Sequence, residues 1–269
     1  MKRVFPSLSV VLYLFSVACG ITNSPDVNRP QPARLNYPVV IESSNPQRRR
    51  SENAWQRLLE INRVPVVPLD LDPALTVPRA LPAEVALKIP VSGKTELLSA
   101  DQAKEALRQF ITANMRLLAG DPRDRELTLA DLSLISFAAE ADLYRATYRQ
   151  MNFPFPIAKG YGELRLVVNR QGALLQLTSR LLPMVDLPST ASVDSGPLAA
   201  GLVGRVFRYS GIDGRGLEYQ VSTREEVSVK DLTIFPKEDG ERLLLYLAYP
   251  VEVGRGTTWT VFFDAVTGQ

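Results

Sequence analysis

Residues 143–183 read LYRATYRQMNFPFPIAKGYGELRLVVNRQGALLQLTSRLLP, and the fold turns on this run. From Leu143 to Met151, Leu143, Arg145, Thr147 and Arg149 alternate with Tyr144, Ala146, Tyr148 and Gln150. From Gly162 to Val168, Leu164, Leu166 and Val168 alternate with Glu163, Arg165 and Val167. A period of two sends successive side chains to opposite faces, which is the mark of a half-buried strand. A third strand is expected over Ala173 to Leu181. It is joined to the second through Asn169-Arg170-Gln171-Gly172, where Gly172 suits the positive φ of a tight turn. Between the first two strands lie Phe153-Pro154-Phe155-Pro156-Ile157 and the run Lys159-Gly160-Tyr161-Gly162. The two prolines hold that connection extended.

Upstream, a helix is expected over Ala100 to Leu118. Ser99 and Gln102 form a capping box. Ala103, Ala106, Leu107, Phe110 and Ile111 recur at helical spacing, and Gly120 and Pro122 follow as stops. Leu132 to Ala138 is a further strand candidate. Between Val64 and Pro90 the prolines at 65, 68, 73, 78, 82 and 90 predict extended, irregular chain, with Asp70 and Asp72 in solvated turns. A short helix is expected over Ala54 to Glu60, with Trp55, Leu58 and Leu59 on one side. Residues 20–54 are rich in Pro, Asn, Arg and Ser. They read as a flexible linker carrying the charge run Arg48-Arg49-Arg50.

Downstream, Met184 to Ser195 reads as a connector. A second helix is expected over Pro197 to Tyr209, with Leu198, Leu202, Val203, Val206 and Phe207 on one face and Gly211 to Gly216 breaking it. Strands are expected over Glu218 to Val221, Leu243 to Val253 and Thr258 to Phe263. Helix followed by antiparallel strands thus occurs twice. The fold class is α+β with two units, 55–185 and 186–269.

The totals narrow the function. The chain has 31 basic and 29 acidic residues, no histidine and one cysteine in 269 residues. Near-zero net charge argues against nucleic acid, whose phosphates need a clustered positive field. Without histidine there is no Ser-His or Cys-His pair, and one cysteine gives neither an intrachain disulfide nor a cysteine zinc site. Gly93-Lys94-Thr95 ends like a phosphate loop, but Lys88 stands where the first glycine belongs, so no nucleotide is expected. The paired carboxylates Glu225-Glu226, Glu140 with Asp142, and Asp121 with Asp124 read as solvated surface. No cofactor, metal or catalytic residue is assigned.

Met1-Lys2-Arg3 followed by the apolar run Val4 to Ala18 has the layout of a secretory signal over residues 1–19. Ser16-Val17-Ala18-Cys19 is similar to a bacterial lipobox, although the family prefers leucine where Ser16 stands. Two readings remain. Either Cys19 is lipidated and tethers the protein to an envelope membrane, or an ordinary peptidase cuts nearby and frees it outside the cytoplasm.

Ala103 to Pro183 resembles the fungalysin/thermolysin propeptide motif, through Leu143, Tyr148, Gln150, Pro156, Ile157, Leu164, Val167, Gly172, Leu181 and Pro183. The C-terminal stretch resembles a PepSY-type domain, through Leu247-Ala248-Tyr249, Trp259, Val261 and the closing Asp264-Ala265-Val266-Thr267-Gly268. The resemblance implies cystatin-like packing of helix on antiparallel sheet. It also implies a pro-region standing without its protease, since the chain contains no His-Glu-x-x-His helix. Such pro-regions assist folding of a metalloprotease and block its cleft. On that basis the expected function is non-catalytic polypeptide binding, with a thermolysin- or fungalysin-type metalloprotease or another envelope protein as partner. A structural or assembly lipoprotein of the envelope is the alternative. Phe153, Pro154, Phe155, Pro156 and Tyr161 are candidate partner contacts. Against that, the two phenylalanines cap the core of their own sheet. Asp264, Thr267 and Gly268 form a turn.

Overall fold

The structure is a computed structural model that describes residues 36–91, 97–120, 125–210, 215–255 and 259–269. The signal segment, Cys19, Gly93-Lys94-Thr95 and Asp121 with Asp124 lie outside the described residues.

The first elements correct the expected linker. Val39–Glu42 is strand β1, and Asn45–Asn62 is helix α1. The helix starts at a capping box: Ser44 Oγ accepts from Gln47 N at 3.4 Å, and Gln47 Oε1 accepts from Ser44 N at 2.7 Å. Ser51, Trp55, Leu58 and Leu59 form its buried stripe, so the charge run Arg48-Arg49-Arg50 sits on a helix. The chain then runs irregularly to β2 (Leu87–Lys88). On the way, Asp72 Oδ1 accepts from Ala74 N and Leu75 N at 3.0 and 2.9 Å, as a turn aspartate does.

The helix expected over 100–118 is two, α2 (Ala100–Ala113) and α3 (Met115–Ala119). They break at Asn114, whose Nδ2 donates back to Phe110 O at 2.8 Å. An amide that competes for backbone in this way interrupts a helix. Four strands follow in order: β3 (Leu132–Ala139), β4 (Leu143–Gln150), β5 (Glu163–Asn169) and β6 (Ala173–Ser179). They make a five-stranded antiparallel sheet in the order β2-β6-β5-β4-β3. The strand alternation predicts the faces. Tyr144, Ala146, Tyr148, Leu164, Leu166 and Val168 are buried in one cluster with Phe110, Leu107, Ile111 and Trp55.

The C-terminal half departs further from expectation. The helix predicted over 197–209 is one turn, α4 (Leu198–Leu202). Gly204, with φ 84°, ends it. Val206–Ser210 is instead strand β7, paired with β8 (Gly216–Gln220). Val206, Phe207, Arg208 and Tyr209 fit a period of two as well as a helical one, and β-branched and aromatic residues tip such a tie toward strand. Two strands were not foreseen, β9 (Val227–Val229) and β10 (Thr233–Asp239). They are followed by β11 (Arg242–Val253) and β12 (Trp259–Asp264). The helix laid on these strands is thus only the short α4, with Ala199 and Leu202 buried in one cluster with Leu247, Tyr249, Val251 and Val253 of β11.

Strand β11 is the axis of a second five-stranded antiparallel sheet. On one side β10 pairs Arg242 to Ala248 and β9 pairs Val251 to Val253. On the other, β1 pairs Arg242 to Leu245 and β12 pairs Ala248 to Val253. Pro250 has no N–H to give and sits between the stretches that β10 and β9 pair, where its carbonyl accepts from Lys230 N at 2.8 Å. Leu243, Leu245, Leu247, Tyr249, Val251 and Val253 point to one buried face.

The β4–β5 connection reaches across the expected unit boundary at 185–186, where Ile157 bridges Ile234 of β10 in parallel. Strand β1, within the expected linker, also joins the second sheet, with Val39 opposite Leu245. Leu35 to Gln269 forms one compact unit.

Candidate functional site

Sheet order places β3 at a free edge. It pairs with β4 on one side, and no strand of the described residues pairs with the other. The reason is local. The segment before it, Leu129–Asp131, is a single 3-10 turn. It is closed by Asp131 Oδ2, which accepts from Thr128 N and Thr128 Oγ1 at 2.9 Å each. Arg125 Nη2 reaches Asp131 Oδ1 at 2.5 Å. Burial pushes the Asp131 carboxyl up, but the bonds from Arg125 and Thr128 outweigh it and hold the group below the usual carboxylate range. The chain is thereby fed into the sheet at its margin.

The edge itself, Leu132-Ser133-Leu134-Ile135-Ser136-Phe137-Ala138-Ala139, contains no charged residue and no proline. Those are the usual guards of a bare edge. Leu134 is 38% exposed, Ile135 42%, and the nearby Met151 63%. A bulge between Leu134 and Ser136 puts Ile135 out of register with β4. Bulges at sheet edges re-aim side chains. Further along, Phe137 is stacked on Tyr144 at 5.7 Å, and Lys104 lies over its ring at 5.0 Å. Such an edge can accept an extended chain through main-chain hydrogen bonds, with exposed apolar groups beside it.

The candidate partner contacts lie away from this edge, in a loop that joins the two sheets. Phe153 and Phe155 are half-buried, and Tyr161 is buried, against Leu182, Ile234, Leu243 and Leu245. Only Pro154 and Pro156 are exposed. Pro156 O accepts from Ile234 N at 2.9 Å and from Thr233 Oγ1 at 2.7 Å, and Ala158 N donates to Ile234 O at 2.9 Å. Tyr161 OH donates to Glu238 Oε1 at 2.6 Å. Burial, then that bond, pushes the Tyr161 hydroxyl well above the usual phenol range.

The motif residues do structural work. Gln150 is buried, and its amide clamps one residue: Nε2 donates to Leu182 O at 2.9 Å, while Oε1 accepts from Leu182 N at 2.7 Å. Tyr148 is buried, which raises its pKa. Gly172, φ 80°, donates to Asn169 O at 3.0 Å in the hairpin. Asp264 Oδ1 accepts from Val266 N at 2.8 Å and Thr267 N at 3.1 Å, and Oδ2 from Thr267 Oγ1 at 2.8 Å, while Gly268 N donates to Asp264 O at 2.9 Å. The sequence did not reveal that Tyr37 OH also donates to Asp264 Oδ1, at 2.6 Å.

Of the pair read as solvated surface, Glu225 is exposed but Glu226 is buried, because its carboxylate is fully engaged. Glu226 is held by Tyr219 OH, Ser222 N and Arg255 and lies below the usual carboxylate range, the Tyr219 bond being the largest cause. Among the described residues, no group of three or more Cys, Asp or Glu stands placed to hold a metal ion. No described helix is long and apolar enough to cross a membrane.

No protein-family model matches the chain, and no curated protein matches it. Among solved structures, the Bacillus megaterium YpeB C-terminal domain is similar over 65% of this chain and 64% of that one, at 12% identity and a TM-score of 0.27. The chain thus spans just under two thirds of that domain's length, and a likeness this slight says nothing of function. The class defined by fold and site is an α+β protein with a bare sheet edge.

Proposed function

We propose that the protein is an exported, non-catalytic polypeptide-binding module that receives an extended segment of a partner along β3. The observation that carries this reading is the uncharged, proline-free, exposed edge of Leu132 to Ala139. A free strand edge is the standard seat for strand addition, in which main-chain bonds give affinity and exposed side chains give selectivity. The chain has no histidine, so a Ser-His or Cys-His engine is not on offer. The partner is a secreted or envelope metalloprotease of the thermolysin or fungalysin type, as the propeptide-like order of Tyr148, Gln150, Gly172 and Pro183 suggests. Cys19 tethers the module to an envelope membrane.

The test is inhibition of, and co-purification with, thermolysin-type proteases by the full chain. A charge placed on the edge blocks strand addition, so Leu134→Lys or Ile135→Lys should remove inhibition while leaving the thermal midpoint near wild type. If no such protease binds, the protease claim fails. Binding indifferent to both lysines removes the edge. Mass spectrometry of the mature N-terminus checks the tether, and an unmodified Cys19 would refute it.

A further inference from the structure

We propose that the recess between the Ala158–Tyr161 turn and strands β5 and β6 is an anion pocket that takes a carboxylate side chain of an acidic polypeptide. This rests on the polypeptide-binding reading and adds the chemistry of the ligand. The recess has a volume of about 110 Å³ and is lined by Lys159, Gly160, Glu163, Arg165, Thr178 and Arg180. That is room for roughly three or four water molecules, the size of a carboxylate with part of its hydration.

The charges are unbalanced. Glu163 is the one carboxylate in the lining, and it is already shared by Arg149 Nη2 and Arg165 Nη2, each at 2.8 Å. Lys159 and Arg180 have no carboxylate partner among the described residues. Both are instead held on aromatic rings: Lys159 Nζ lies 4.3 Å from the centre of Phe235, and the Arg180 guanidinium 4.8 Å from that of Tyr161. Arg180 Nη1 also donates to Lys159 O at 3.3 Å. Three cations, Lys159, Arg165 and Arg180, thus line the recess against one carboxylate, while Glu238, which accepts from Tyr161, and Asp72, which acts on the same tyrosine, are not in the lining.

The backbone is shaped for this. Tyr161 N donates to Ala158 O at 3.3 Å, with Lys159 at φ 58° and Gly160 at φ 69°. Two successive left-handed residues make a primed turn, which favours asparagine and glycine. A lysine there carries strain, and such strain gathers at functional sites. A Cβ at Gly160 would stand in ordinary contact with Arg165 Nη2 and Glu163 Oε2, at 3.6 and 3.9 Å, so it is the left-handed φ of 69° rather than crowding that favours glycine there. A membrane is the poorer fit. Lipid headgroups are met by basic stems that reach a flat surface, whereas Lys159 and Arg180, although exposed, are held against aromatic rings at the margin of the recess.

The experiment is fluorescence polarisation of the full chain with a labelled oligoglutamate peptide, an oligoglutamine peptide as neutral control and inorganic phosphate as competitor. Flotation with phosphatidylcholine vesicles, with and without phosphatidylglycerol, runs alongside. Oligoglutamate should bind and oligoglutamine should not. Lys159→Asn and Arg180→Gln should each weaken binding about tenfold, the loss expected for a charge-assisted hydrogen bond. Arg145→Gln, which removes a cation paired with Glu140 outside the recess, should change it little. Asparagine tolerates the left-handed turn, so Lys159→Asn separates lost charge from lost folding. Equal loss with Arg145→Gln, phosphate binding tighter than the peptide, or binding to anionic vesicles alone would each overturn the pocket. Ile135→Lys should leave oligoglutamate binding intact, so a failed edge and a failed pocket give different results.

Discussion

The two five-stranded sheets are ordered in different ways. In the first, β3, β4, β5 and β6 follow one another along the chain, each beside the next. The helix expected to cover them does so with Ala103, Ala106, Leu107, Phe110 and Ile111. In the second, four strands all pair with β11: its sequence neighbours β9 and β10 on one flank, and on the other β12 together with β1, the one distant piece, whose Val39 lies opposite Leu245. Local closure leaves its signature in local sequence. Distant closure shows only when the partners are seen together. The same contrast bears on stability, because a sheet that takes in a distant piece depends on whatever clasps that piece.

The largest effects should show whether the two sheets are one cooperative body. Phe110→Ala empties a fully buried site in the first sheet's core and Leu245→Ala one in the second's. Each should cost about 2–5 kcal/mol by lost transfer energy and cavity formation. The chain has two tryptophans. Trp55 lies in the first sheet's core, and Trp259 is on β12. Variants retaining one tryptophan each therefore report one sheet apiece. With Pro156, Ala158, Thr233 and Ile234 bonded across the joint, the two signals should unfold in one urea transition. Two separate midpoints would restore the two independent units that the sequence suggests.

Next in size is the amide clamp. Gln150→Leu removes both bonds to Leu182 and leaves a buried N–H and C=O without partners. At about 1–3 kcal/mol per unsatisfied group, a loss of roughly 2–6 kcal/mol is expected for the two, with an unchanged m-value. A variant as stable as wild type would mean that the exit of β6 is held by packing alone.

These cases mark how far the sequence can be read. Gln150 was recognisable as a motif residue, and the alternation around it gave its buried face. That Leu182 is its partner is tertiary information. Leu132 to Ala138 was recognisable as a strand, but its place at an edge follows from sheet order, which no local period encodes. The Phe153-Pro154-Phe155-Pro156 loop admitted a partner role and a core role with the same residues. The contact with Ile234 is tertiary and shows only in the fold. The helix expected over Ala54 to Glu60 is the later part of α1, which begins at Asn45 behind the Ser44–Gln47 capping box. Thr233–Asp239 was hidden by Pro236, a residue that argues against a central strand and is tolerated nearer an edge.

A smaller effect tests the clasp of the second sheet. Tyr37 OH donates to Asp264 Oδ1 at 2.6 Å and accepts from Leu247 N at 3.1 Å. Burial, then the bond to Asp264, pushes its pKa well above the usual phenol range. The folded state therefore keeps a proton that the unfolded chain loses near pH 10. The stabilisation is complete below that pH and declines above it. Tyr37→Phe should cost about 1–2 kcal/mol at neutral pH and flatten the alkaline fall in stability. An unchanged alkaline limb would show that the clasp does not hold β1 in place.

The smallest effect belongs to the first sheet's outer face. Burial raises the Glu163 carboxyl, but the bonds from Arg149 and Arg165 outweigh it and hold the group below the usual range. A depressed folded pKa gives stability that is present above the unfolded value, near pH 4, and is lost as pH falls through the folded one. Arg149 is half exposed, and exposed pairs contribute only about 0.2–1 kcal/mol. Arg149→Met should therefore lower stability by less than about 1 kcal/mol at neutral pH, with the difference shrinking in acid. Salt should shrink it too, since exposed charges are screened. A gap of several kcal/mol, or one that persists at low pH, would mean that Arg149 acts through packing of its stem rather than through charge. The sheet with the most local closure would then also depend on its solvent face.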